Sequence, residues 1–148
     1  MNSRILNATL VSFLLAGVVL AHSYLSSSSI PASSILKTMP EKLTLEFSEP
    51  LEVGFSSFKV YKLETKTTDG AKIKLEAEAL VARTLALKND SVKRADAGLE
   101  TTASEAALVK LKLKANLKSG IYVVMYRVLS VDTHITQDFF TFRLSSNQ

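Results

Sequence analysis

The sequence predicts an all-β domain, a sandwich or barrel of at least six strands, and three observations lead there. Apolar residues recur at every second position in several segments, as where Leu43, Leu45 and Phe47 alternate with Lys42, Thr44 and Glu46; that is the period of a strand with one buried face. β-Branched and aromatic residues gather in GIYVVMYRVLS and DFFTFRL, where they suit a pleated, half-buried surface. Short polar breaks separate these runs and helical periodicity is scarce, which favours a sandwich or barrel over alternating strands and helices.

In chain order, SYLSSSSIPASSILKTMP reads as a first edge strand followed by a loop, with Leu25, Ile30, Ile35 and Leu36 available for burial. KLTLEFSEP is the next strand, and Pro50 helps to end it because proline cannot donate to a sheet ladder. FSSFKVYKLE and AKIKLEAEAL read as strands joined by the turn TKTTDGA, a cluster of turn-forming residues. LKNDSVKRADAGLETTASEA has no sustained period and reads as a long surface loop, with a helical turn near Ala103 to Ala107. In AALVKLKLKA the residues Lys110, Lys112 and Lys114 alternate with Leu111 and Leu113, so the basic run is the solvated face of a strand and not a binding patch.

The N-terminal segment reads as an export signal. Arg4 supplies a basic start, Leu10 to Leu20 an apolar run, and Val19 and Ala21 the small residues that a signal peptidase recognises. Cleavage after Ala21 leaves residues 22–148 as a single domain, and 47% apolar content is enough to build a core. The alternative, an uncleaved anchor, is disfavoured because the run falls short of the roughly 20 residues that span a bilayer. No membrane insertion is therefore expected after cleavage, and the protein is expected in the periplasm or otherwise exported. Losing Arg4 lowers the formal charge from +4 to +3, too mild to argue for nucleic acid. With no cysteine, the exported domain relies on its core rather than on disulfides.

Cleavage after Ala21 would make His22 the first residue, with a free α-amine beside its own imidazole. The amine and Nδ1 of one histidine close a chelate ring on a metal ion. The other histidine, His134, follows Asp132 by two residues, and in an extended strand such residues share a face. One amine, two imidazoles and one carboxylate form a nitrogen-rich donor set that favours Cu(II) over structural zinc. Spacing alone leaves this level with a plain alternative, in which His22 is an incidental polar residue and Asp132 to His134 a simple turn.

Three segments resemble the CopC family of periplasmic copper-binding proteins. SGIYVVMYRVLSVDTH resembles the family's C-terminal signature, LTLEFSEPLEVGFSSFKV its first internal strand pair, and AHSYLSSSSIP its mature N-terminus. The resemblance implies a Greek-key, immunoglobulin-like β-sandwich carrying one Cu(II) ion on His22, Asp132 and His134. Departures are Ile135 where the family has proline, Asp138 where it has glycine, and a longer segment between FKVYKLE and SGIYVV. The methionine-rich Cu(I) site of some members is not expected, since the mature chain has only Met39 and Met125 and Met125 lies in a strand where packing explains it.

Other candidates weigh less. Glu46, Glu49 and Glu52 read as solvated surface, Ser26 to Ser29 lack a nearby base, Tyr122 and Tyr126 share strand parity with Val124 and should pack, and Tyr24 could lie near the metal. Arg127, in an otherwise apolar strand, should pair with a carboxylate or reach solvent. The leading function is a non-enzymatic copper carrier in copper homeostasis or resistance, with the copper ion and an inner-membrane copper transporter as partners. An oxidative copper enzyme of the N-terminal-histidine type is one alternative, opposed by the lack of tryptophan and by a carboxylate placed where oxygen would bind. A metal-free immunoglobulin-like module is the other.

Overall fold

The computed structural model describes residues 23–145. The expected export signal over 1–21 and His22 lie outside the described residues. Eight strands form two four-stranded sheets: β1 (Leu25–Ser28), β3 (Lys42–Glu52), β6 (Glu105–Leu113) and β5 (Asp96–Leu99) in one, and β2 (Ile35–Leu36), β8 (Ile135–Leu144), β7 (Gly120–Leu129) and β4 (Ser57–Leu63) in the other. The chain crosses from sheet to sheet at β1–β2, β2–β3, β3–β4, β4–β5 and β6–β7, the Greek-key arrangement of an immunoglobulin-like sandwich. No helix among the described residues is long and apolar enough to cross a membrane.

Alternation builds the core between the sheets. Leu43, Leu45 and Phe47 from β3, Val109, Leu111 and Leu113 from β6, and Tyr122, Val124, Tyr126 and Val128 from β7 all point into it. Phe47 meets the rings of Phe58 and Tyr126 edge-on at centroid separations of 6.1 and 5.3 Å, a favoured aromatic geometry. Tyr122 and Tyr126 therefore pack as their parity predicts, whereas Arg127 on the opposite face is exposed.

The segment AKIKLEAEAL is not a strand. It lies in a helix, α1 (Gly70–Thr84), whose first turn is capped by Asp69 accepting from the Lys72 N–H at 2.9 Å, the usual partner geometry of an N-cap. Ile73, Ala77, Leu80, Val81 and Leu85 recur at helical spacing and pack on Tyr61, Leu63, Ile121, Val123 and Met125, the outward face of the β4–β7–β8 sheet. α1 thus adds a third layer and a second core, which explains why β7 is buried on both faces from Ile121 to Tyr126. Met125 is wholly buried there, and Met39 packs against the main core.

Two other expectations are corrected. The presumed loop after α1 contains β5, a short strand with a bulge between Asp96 and Gly98, and the expected helical turn near Ala103 to Ala107 is instead coil leading into β6. Pro50 does not end its strand: β3 runs on to Glu52, with its pairing to β6 broken between Glu46 and Leu51. An irregularity of this kind is where a strand tolerates proline.

A buried ionic network fastens α1. The Lys59 ammonium, on β4, donates to the Asp90 carboxylate at 2.6 Å and to the carbonyls of Thr84 and Leu87 at 2.8 and 2.6 Å. The Tyr61 hydroxyl donates to the same Asp90 oxygen at 2.6 Å. Lys59 therefore neutralises a buried carboxylate and ties down carbonyls at and just beyond the end of the helix. Burial raises the Asp90 pKa, but the bonds from Lys59 and Tyr61 outweigh it and hold the carboxyl below its ordinary range. Burial, and then the bond to Asp90, push the Tyr61 phenol up to about 12.

Candidate metal centre

Asp132 and His134 sit in the hairpin loop between β7 and β8, not within a strand as the alternation argument supposed. The loop closes on itself: the Ser130 N–H donates to the His134 carbonyl and the Thr133 N–H to the Ser130 carbonyl, both at 2.9 Å. Thr133 carries the reversal with φ of +75°. A β-branched residue in the left-handed region costs of order 1–3 kcal/mol and persists where the surroundings over-determine it.

Ser130 is that surrounding support. It is fully buried, its backbone bridges Leu51 of β3, and its hydroxyl bonds the Asp132 carboxylate closely as well as the His134 carbonyl. The other Asp132 oxygen lies 2.9 Å from Nδ1 of His134. The predicted pair is thus brought together. The Ser130 hydroxyl first, and then the ring and N–H of His134, hold the Asp132 carboxyl below its ordinary range against partial desolvation. A carboxylate bonded to a ring nitrogen fixes the orientation of the ring, and here it holds the Asp132 carboxylate and the His134 imidazole side by side at the hairpin tip. Sequence reasoning did not single out Ser130, although Ser130 and Asp132 stand in the i, i+2 relation of a side-chain-stabilised turn.

The strand β3 connects this loop to the start of the described chain. Tyr24 donates from its N–H to the Ser48 hydroxyl at 3.1 Å and accepts from the Ser48 N–H at 2.9 Å. Two residues further along, the Pro50 carbonyl accepts from the Val131 N–H at 3.2 Å. Two residues of strand span about 7 Å, so the beginning of the described chain and the Asp132 loop attach to neighbouring points of one strand. Ser23, which follows His22 in sequence, is fully buried at this end, and its hydroxyl has no partner among the described residues. Tyr24 is exposed beside it.

Among the described residues no group of three or more His, Cys, Asp or Glu side chains is gathered around one point. The remaining sequence candidates are peripheral. Glu46 accepts from the Ser27 hydroxyl on the exposed edge at 2.8 Å, Glu49 and Glu52 are half-buried at the rim, and Ile135 and Asp138 are exposed on β8. Asp138 accepts from the N–H of Phe139 at 2.8 Å, occupying a backbone donor on the sheet edge.

The CopC domain family matches this chain over residues 25–92 and 78–145. Protein YobA of Escherichia coli K12 is 30% identical over 135 residues, covering 91% of this chain and 88% of its own. Copper transport protein CutJ of Bacillus subtilis strain 168 is 26% identical over 114 residues, which are 77% of this chain but only 16% of CutJ. Among solved structures, CopC from Methylosinus trichosporium OB3b superposes with a TM-score of 0.59 at 22% identity, covering 86% of this chain and 97% of its own. PcoC, a methionine-rich copper resistance protein from Escherichia coli, superposes with a TM-score of 0.58 at 26% identity, with coverages of 84% and 100%.

Proposed function

The chain belongs to the CopC family, and on that premise we propose that it is an exported, non-enzymatic carrier of one Cu(II) ion in copper homeostasis or resistance. In this reading residues 1–21 are removed on export to the periplasm, and the ion is taken by the α-amine and imidazole of His22, the imidazole of His134 and the carboxylate of Asp132. The observation that carries it is the attachment of Tyr24 and of the Asp132 loop to Ser48 and Pro50 of one strand, which favours a site shared by the chain start and the loop. The contact of Asp132 with Nδ1 supports a carboxylate and an imidazole already side by side before the ion arrives, the ion taking the place of the proton between them, and such pre-organisation lowers the cost of binding.

CutJ suggests the recipient. A segment similar to 77% of this chain forms 16% of that copper transport protein, so a related unit is covalently part of a longer protein named for copper transport. The separate chain is then read as delivering copper to, or withholding it from, an inner-membrane copper transporter. The test is the intact mass of the exported protein followed by Cu(II) titration of the same sample. Cleavage after Ala21, and an affinity that collapses when one residue is added before His22, are expected. A protein that starts elsewhere and still binds Cu(II) tightly would overturn the ligand set.

A further inference from the structure

The sandwich is electrically lopsided, and the tertiary structure alone reveals it. The Asp132 loop lies at one end with Glu49, Glu52, Glu105 and Asp138, against the exposed cation Arg127 on β7. At the opposite end, about 30 Å away along β7, the turns before β7, after β4 and before β5 converge. They gather Lys62, Lys66, Lys93, Lys114 and Lys118 against Glu64. None of these five lysines forms an ion pair among the described residues. Lys62, Lys93 and Lys118 line an open depression of about 410 Å³ floored by Ala95, Leu117 and Tyr122. Next to it Val92 stands 90% exposed, and its peptide is tied down by Lys114, whose ammonium donates to the carbonyls of Ser91 and Val92 at 2.6 and 3.3 Å.

We infer that this end docks the protein on an anionic phospholipid surface through Lys62, Lys93 and Lys118, with Val92, its peptide held by Lys114, entering the headgroup layer. Lysines are compact point charges on flexible stems, and here they come from separate turns around a shallow depression. That arrangement suits a diffuse sheet of phosphates better than the fixed geometry of an acidic protein patch. Each basic residue near a charged bilayer adds an attraction that decays within a Debye length. A single exposed aliphatic side chain adds apolar contact without making an anchor. Docking in this orientation points the Asp132–His134 loop away from the bilayer, open to solution.

The experiment is sedimentation of the mature chain with vesicles of phosphatidylglycerol and phosphatidylcholine in equal parts, against vesicles of phosphatidylcholine alone. Binding only to the mixed vesicles, weakened by sodium chloride, is expected. Lys93→Gln/Lys118→Gln should lower partitioning about twenty-five-fold, taking about five-fold per basic residue, and Lys93→Glu/Lys118→Glu, which also adds two negative charges, should lower it further. Lys110→Glu/Lys112→Glu changes the net charge equally on the outer face of β6 and should retain most of the binding. Val92→Asp should weaken binding with no change in fold by circular dichroism. Equal losses in the two reversed pairs, or no preference for the anionic vesicles, would overturn the docking end. Displacement by low-millimolar inorganic phosphate at constant ionic strength would instead assign the depression to a free anion and overturn membrane docking.

Discussion

The molecule contains two polar clusters built from similar groups and set in opposite surroundings. Around Lys59, Asp90 and Tyr61 the charges are sealed beneath the connection that follows α1, and the ammonium is bonded to protein oxygens on three sides. Around Asp132 and His134 the charges stand at a hairpin tip, and only Ser130 beneath them is sealed. In the first cluster the polar valences are spent on joining chain segments far apart in sequence. In the second, a buried hydroxyl holds an accessible carboxylate and imidazole in a defined relation. Burial of the whole set makes a fastening; burial of its support alone leaves a carboxylate and an imidazole at the surface.

The largest expected effect separates the two by stability. Lys59→Met leaves Asp90 buried without its main counter-charge and should cost about 3–5 kcal/mol in urea unfolding, while copper affinity of the folded protein stays unchanged. Lys59→Met/Asp90→Leu should recover much of that loss, because an apolar pair needs no counter-charge. His134→Ala should do the reverse, lowering Cu(II) affinity more than about a hundredfold, beyond what loss of a supporting residue costs, with little change in the urea midpoint. Both effects appearing in one variant would erase the distinction between fastening and site.

Ser130→Ala tests whether support matters. It removes the hydroxyl under Asp132 and should weaken Cu(II) binding about ten- to a hundredfold, measured by competition with a chelator, at about 1 kcal/mol in stability. Acidity offers a further separation. The depressed Asp90 carboxyl contributes stability that is present above its unfolded value near 3.9 and is lost as pH falls through the lower folded value. At the alkaline side Tyr61 and Tyr126, both raised to about 12, contribute stability that is lost as pH rises from 10 to about 12. Copper affinity, which falls as acid protonates the ligand nitrogens, should therefore weaken in a protein that remains folded, as read by titration and circular dichroism at pH 5. The smallest effect belongs to Met125→Leu: a near-isosteric change under α1, expected to cost less than about 1.5 kcal/mol and to leave copper binding intact.

How far the sequence could be read depended on how many residues carried each signal. The strands β3, β6 and β7 were legible because alternation over ten or so residues leaves one register in which Leu43, Leu45 and Phe47, or Tyr122, Val124 and Tyr126, are all buried. In AKIKLEAEAL the same test misled. Ile73, Leu75 and Ala77 alternate with charged residues, but the helix buries Ile73, Ala77, Leu80 and Val81 and leaves Leu75 at 64% exposure. The two periods separate only over a longer stretch, where Ile73, Ala77, Leu80, Val81 and Leu85 recur at helical spacing behind the cap Asp69. β5 stayed hidden because four residues with a bulge are too few to show any period. Asp132 and His134 lie side by side through a turn centred on Thr133 rather than by strand parity.

What the sequence determined by itself is what lies within a few residues along the chain: strand periods, inward and outward parity, the local meeting of Asp132 with His134, and the family signatures that span them. What only the tertiary structure decided is what joins distant segments. Lys59 reaches Asp90 across 31 positions, Tyr24 and Val131 attach two residues apart on β3, and lysines from three turns collect at one end. Each depends on sheet register and on the order of crossovers, and these are set by the summed burial of the whole core rather than by any one stretch of chain.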